Sequence, residues 1–194
     1  MAASTSSANA CATIQKSLGW CQGKPELPGV KKRVYYIPSS DILKWPALPK
    51  DTLGRPTSAL YDGDFTLREG AKWHYIDHLP SKAEVKTETQ GEKPSQTVKA
   101  TMTIVHPGVG EEASTACAGL LNTDSIFLVE DMSGSYRVIG SEYYDGTATV
   151  AQDLGQGATG TTGTTITLEG SDIVSLPIYA GKIETEEGTI NESV

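Results

Sequence analysis

The sequence predicts a mainly β fold: two packed antiparallel sheets, as a sandwich or partly closed barrel, with one flanking α-helix. Three observations carry that prediction. The composition favours strands and turns, with 20 Gly, 8 Tyr and only 2 Phe among 194 residues. Short stretches of alternating apolar and polar residues recur between Gly-, Pro- and Asp-containing turns. One stretch alone has helical spacing. A chain of this length buries roughly 70% of the surface its unfolded form exposes, so one core suffices without staples.

Residues 1–13, "MAASTSSANACAT", are rich in Ala, Ser and Thr and read as an N-terminal arm. Residues 14–183 read as a single β domain and residues 184–194 as an acidic tail, either loose or adding a strand. After prolines 25 and 28, Val34-Tyr35-Tyr36-Ile37 predicts a strand closed by Pro38, and Ser40-Asp41 a short turn. Asp64–Leu67 and Lys72–Ile76 predict two strands around the turn Arg68-Glu69-Gly70-Ala71. The best hairpin is "AEVKTETQGEKPSQTVKATMTIV". Glu84–Gln90 alternates, Gly91-Glu92-Lys93-Pro94 turns, and Val98, Ala100, Met102 and Ile104 share one face of the return strand.

Glu111–Leu121 predicts the helix, opening on two acids that suit the positive end of a helix dipole. Its expected apolar stripe is Ala113, Ala116, Cys117, Leu120 and Leu121. Strands are then expected at Ser125–Glu130, Tyr136–Ile139, Thr147–Gln152, Thr164–Glu169 and Pro177–Tyr179. The turn Asp131–Ser135 separates the first two.

The motifs that could carry chemistry have plainer readings. Gly155, Gly157 and Gly160 spell G-x-G-x-x-G, a dinucleotide fingerprint only when a helix starts at once after the third glycine. Here Thr161-Thr162-Gly163-Thr164-Thr165-Ile166 follows, and threonine favours strand. An exposed loop over Gly155–Gly163 and a paired strand over Thr164–Leu168 are expected. His74 and His78 with Asp77 would suit a metal on a helix, but Trp73, Tyr75 and Ile76 favour strand, where an i, i+4 pair lies about 13 Å apart. Asp62 and Asp64 in "YDGDF" read as a turn, lacking the spaced ligands of a calcium loop. Glu111 and Glu112 open the helix, and Cys117 on its apolar stripe reads as an inert buried thiol. Catalytic, cofactor-binding and metal-binding residues are all expected to be none, so the chain reads as no enzyme.

The net charge is −8 and is unevenly spread: residues 1–50 carry +5, 51–100 carry −1, and 101–150 and 151–194 carry −6 each. An acidic chain is a poor nucleic-acid binder, since that affinity comes from Lys and Arg at phosphates. A chain basic at one end and acidic at the other could attract copies of itself. Cys11, Cys21 and Cys117 are odd in number and lack C-x-x-C spacing, which argues for a reducing compartment. No signal peptide and no run of membrane-spanning length is read.

Three segments together, "SLGWCQGKPELPGVKKRVYYIPSSDI" (17–42), "IFLVEDMSGSYRVIGSEYY" (126–144) and "TTGTTITLEGSDIVSLPIYAG" (161–181), resemble major tail tube proteins of tailed bacteriophages, particularly those of gut bacteria. The resemblance covers about a third of the chain directly. It implies a six-fold ring, stacked head to tail into a hollow virion tube that conducts DNA without specific binding. Synthesis in the host bacterial cytoplasm is implied too. It further implies a long hairpin or loop that reaches the next ring. The partners expected are other copies of the chain, the tape measure and other tail proteins, with no membrane. A head–tail connector or tail terminator is the nearest alternative, and a monomeric β-sandwich binding module a more distant one. The resemblance brings no active site.

Two candidate assembly regions follow. The tip Thr89, Gln90, Gly91, Glu92, Lys93, Pro94, Ser95 and Gln96 has no apolar residue to bury and is expected to contact the next ring. Lys31, Lys32 and Arg33 are expected to meet acidic surface of a neighbouring subunit.

Overall fold

The computed structural model describes residues 16–191. The proposed arm over residues 1–13, Cys11 included, lies outside them, as do the last three residues of the tail. The described chain is mainly β with a single α-helix and no closed barrel. Its strands in chain order are β1 (Val30–Pro38), β2 (Ile42–Lys44), β3 (Leu60–Tyr61), β4 (Thr66–Leu67), β5 (His74–Asp77), β6 (Glu84–Gln90) and β7 (Thr97–His106). Helix α1 (Glu111–Leu120) follows, then β8 (Ser125–Asp131), β9 (Tyr136–Ile139), β10 (Thr147–Asp153), β11 (Gly163–Asp172), β12 (Ile178–Tyr179), β13 (Ile183–Thr185) and β14 (Gly188–Ile190).

A six-stranded sheet runs in the order β3-β12-β9-β8-β1-β5, and a four-stranded sheet in the order β10-β11-β7-β6. Every pairing in them is antiparallel except β12 with β3. Two small ribbons, β2–β4 and β13–β14, complete the set. Between the main sheets lies one apolar core. Val34, Phe127, Val129 and Ile139 come from the six-stranded sheet, and Ala100, Met102, Ile104, Ile166 and Leu168 from the other. Helix α1 closes one side of this core with Cys117 and Leu120.

The six-stranded sheet is covered on its other face too. Strand β8 shows this most clearly, because Ser125–Val129 are each at most 1% exposed. Phe127 and Val129 face the first core, while Ile126 and Leu128 face a second. That second core is aromatic: Tyr35, Tyr61, Phe65, Trp73, Tyr136 and Tyr179 pack there with Ile183. The ring of Phe65 lies 5.4 Å from that of Trp73 and 4.9 Å from that of Tyr179, within the range of favourable aromatic pairing. The two ribbons and the loops 45–59 and 62–65 form the outer layer. The molecule therefore has one more layer than a simple sandwich.

The tail residues 184–191 belong to that layer. Ile183 is fully buried, Thr185 bridges Trp73, and the turn to β14 brings Glu187 to Arg33. Of the two alternatives the sequence left open, the tail adds strands. The main sheets touch backbone to backbone at Gly170 of β11 and Gly140 beyond β9, where a Cβ on Gly170 would lie 2.4 Å from the Gly140 nitrogen. Glycine is required at that contact by space alone.

Candidate functional site

The hairpin β6–β7 keeps its register without interruption from Glu84↔Thr103 to Gln90↔Thr97. Every residue from Lys86 to Gln96 is exposed. The strands run to Gln90 and restart at Thr97, so Thr89 and Gln90 belong to β6 and the tip itself is Gly91, Glu92, Lys93, Pro94, Ser95 and Gln96. Gly91 sits at φ +80°, and a side chain there would crowd the Ser95 carbonyl. Gln90 holds the base of the tip by donating to Thr97 (3.2 Å) and to Ser171 of β11 (2.9 Å).

The hairpin belongs to a sheet that is open on both sides. β6 and β10 are its outer strands, seven residues each, and neither has a further strand beside it among the described residues. An open edge presents unpaired backbone N–H and C=O groups, a template for another chain. The face of this sheet away from the core is hydroxylated. Thr149, Thr167 and Thr103 stand in one row across β10, β11 and β7. Neighbouring rows carry Thr147, Thr101 and Thr165. Its charges are partly paired: Lys99 meets Glu169 at 2.9 Å, and Lys86 meets Glu84 at 2.9 Å. The bond to Glu169 raises the Lys99 pKa. Glu88 lies across from Lys99.

The basic triplet sits inside β1, which begins at Val30, four residues earlier than the sequence predicts. Lys31 pairs with Glu130 of β8. Arg33 donates to Asp77 (2.8 and 3.3 Å) and to Glu187 (2.8 Å), and its guanidinium lies 3.7 Å above the Tyr75 ring. Its side chain is only 23% exposed. The hydrogen bonds from Arg33 hold the Asp77 carboxyl below its usual range. Tyr75 and then Arg33 do the same for Glu187. Lys31 and Lys32 are both exposed, and Lys32 has no ion pair among the described residues. Two of the three proposed intersubunit charges are thus engaged within the subunit, by acids that the fold delivers from β8, β5 and the β13–β14 turn.

The residues with chemical potential are placed apart. His74 is exposed and packs on Tyr36, whereas His78 is 4% exposed, and neither ring nitrogen of His78 has a hydrogen-bond partner. Burial lowers the His78 pKa, so the ring is neutral. His106 Nδ1 lies 2.7 Å from the Asp77 carbonyl oxygen. No group of three metal-ligating side chains occurs among the described residues. Asp62 forms a backbone bridge with Ala47, and Asp64 accepts from the Lys182 amide at 2.8 Å. Burial raises the pKa of Cys117, as in an unreactive thiol.

The glycine-rich stretch forms a short 3-10 turn at Gly157–Thr159, and β11 follows, starting at Gly163. Gly163 is therefore a buried strand residue, not the end of the loop. The loop closes on itself: a Cβ on Gly160 would sit 2.3 Å from the Gln156 nitrogen. Its glycines serve this turn, and the helix N-terminus that a pyrophosphate needs is not formed.

α1 also departs in detail from its expected stripe. Cys117 and Leu120 are buried and Ala113 is half-buried, but Ala116 and Leu121 are exposed. Leu121 caps the helix, and Ala116 stands at the mouth of a groove between α1 and the sheets. No helix among the described residues is long and apolar enough to cross a membrane. Comparison with protein-family models, characterised proteins and solved structures gives no match.

Proposed function

We propose that this chain is a structural subunit that assembles into stacked rings, forming the tail tube through which a tailed bacteriophage delivers DNA. The observation that carries the proposal is the four-stranded sheet open along both seven-residue edges, β6 and β10. An open edge is an aggregation hazard in a monomer. A ring removes it, because β6 of one copy beside β10 of the next makes a heterologous contact that closes after a fixed number of rotations. The resemblance of segments 17–42, 126–144 and 161–181 to tail tube proteins supplies the number six.

In such a ring the threonine-rich face of the sheet lines the channel. Glu84, Glu88 and Glu169 on that face outnumber Lys86 and Lys99. Duplex DNA carries a charge every ≈1.7 Å, and a wall that grips it must offer unpaired cations. A hydroxylated wall with paired lysines lets it slide. The exposed tip Gly91–Gln96 extends the same hairpin and is available to the neighbouring ring. Ordering there is offset by contacts that a free loop lacks.

Hydrogen exchange of the full chain at low and at assembling concentration tests the proposal. Edge amides of Glu84–Gln90 and Thr147–Asp153 gain protection when copies associate. Assemblies in which neither edge gains protection contradict it.

A further inference from the structure

We propose that the segment 16–29 of one copy straps onto a neighbouring copy by laying Trp20 into the groove between α1 and the sheets. The inference rests on the self-assembly reading above and names surfaces that reading leaves unassigned. Every residue from Lys16 to Gly29 is exposed, with Leu18 at 101% and Trp20 at 72%. Among the described residues, its one side-chain hydrogen bond to the body of the protein is from the Lys16 ammonium to the Thr57 carbonyl, 2.8 Å. A tryptophan can bury 150–250 Å², so an indole left in water on an extended, proline-stiffened segment is an unmade contact.

The groove offers the matching surface. It has a volume of about 210 Å³, and no residue of 16–29 lines it in the same copy. A cavity of roughly 150 Å³ already admits a benzene ring. Ile76, Ala116, Cys117, Leu120 and Ile166 supply apolar wall for a ring, Asp77, His106 and Thr164 add polar groups, and the exposed Glu112 also lines it. A buried indole N–H needs an acceptor, and a carboxylate at the rim supplies one.

The charges agree in sign. Lys16 and Lys24 flank Trp20 at four residues on either side, about 13 Å in extended chain, and Lys24 pairs with Glu26 at 3.1 Å within the segment. Glu111 and Glu112 in the first turn of α1 form no ion pair among the described residues. The strap carries a net +1, Lys16 and Lys24 against Glu26, and meets the acidic start of α1 beside the groove. This contact is heterologous, so it can propagate around a ring.

Cys21 follows Trp20 directly and the exposed Ala116 lines the groove, which gives a direct test in the full chain. One preparation carries Cys11→Ser with Cys117→Ala, leaving Cys21; the other carries Cys11→Ser, Cys21→Ser and Cys117→Ala with Ala116→Cys, which puts an exposed thiol at the groove in place of the buried one. Mixed at assembling concentration and treated with a short bismaleimide, the two should yield a covalent heterodimer joined Cys21 to position 116 by peptide mass. Trp20→Ala should abolish that product and raise the concentration needed for assembly roughly thirtyfold, the effect of losing an aromatic anchor. Trp20→Phe should retain most of it. Ala116→Arg, at an exposed position, should block the groove and match Trp20→Ala without lowering the melting temperature, which keeps the test independent of the cysteine changes. Assemblies that form at the wild-type concentration with Trp20→Ala and Ala116→Arg, without the cross-link, overturn the strap and leave the ring standing. Wild-type protein that never associates overturns both.

Discussion

Replacing Gly170 by alanine adds one methyl group at the point where the two main sheets touch. That carbon would lie 2.4 Å from the Gly140 nitrogen, 2.8 Å from its Cα and 3.1 Å from the Ile139 carbonyl carbon. All three are backbone atoms, so no rotamer change relieves the clash. Gly140 cannot swing away, because it sits at φ +100° and its own pro-Cβ direction is blocked by Ile126 Cδ1 at 2.7 Å. The sheets must separate by about an ångström there, loosening the packing of Ile139 and Leu168, both fully buried. Overpacking of this kind costs about 1–3 kcal/mol, and a contact with no soft neighbour belongs at the upper end. The same substitution at Gly119 in α1 meets nothing within 4 Å. There alanine should stabilise by about 0.5 kcal/mol, the lower end of the helical gain, because Gly119 is next to last in the helix. Urea unfolding followed by circular dichroism separates the two. With a slope of about 3 kcal/mol/M, Gly170→Ala should lower the midpoint by about 1 M and Gly119→Ala should raise it slightly. Equal midpoints for Gly170→Ala and the unaltered protein would refute the backbone contact between the sheets.

Arg33→Glu should destabilise the subunit by about 1–2 kcal/mol, discounted for the partly exposed Asp77, whereas Lys32→Glu should change its urea midpoint by less than the measurement error. For that reason the single change Lys32→Glu, and not reversal of the whole triplet, is the clean probe of charge between subunits. Reduced salt-dependence of assembly in Lys32→Glu is expected if Lys32 faces a neighbour. His78, buried and neutral, binds its proton more weakly folded than unfolded. Its contribution is intact above the unfolded pKa of ~6.5 and is lost as pH falls from there towards the folded value. The urea midpoint should drop between pH 7.5 and pH 5.5, and His78→Leu should drop less; equal slopes would remove His78 as the cause. Replacing Gly91–Gln96 by Asn-Gly closes the hairpin on the registered pair Gln90↔Thr97 and should leave a folded subunit that forms rings but does not stack. Normal tubes from that variant would show that the tip is only a surface loop.

What the sequence conveyed was the local part of the fold. Glu84–Gln90 and its return strand were legible because strict alternation and a polar turn specify register on their own. Thr164, Ile166 and Leu168 share the buried face for the same reason. Long-range packing was not legible. The charges of Lys31, Lys32 and Arg33 argue against a strand locally, yet they lie in β1, where Glu130 meets Lys31 and Asp77 and Glu187 meet Arg33 from elsewhere in the chain. The second aromatic core draws Phe65, Trp73, Tyr136 and Tyr179 from segments that show no common pattern. Ser125–Val129, buried on both faces, has no alternation that would reveal a covered sheet. The candidate regions were legible as exposed or charged sequence, but the open edges of β6 and β10 appear only once strand order is known.

Electron microscopy of the purified full chain at rising concentration tests the central claim most directly, with sedimentation run alongside. The account predicts rings of six copies that stack into hollow tubes, and assembly that weakens as salt rises past about 0.15 M. Protein that stays monomeric at millimolar concentration in low salt, with no rings or tubes in the images, would contradict it.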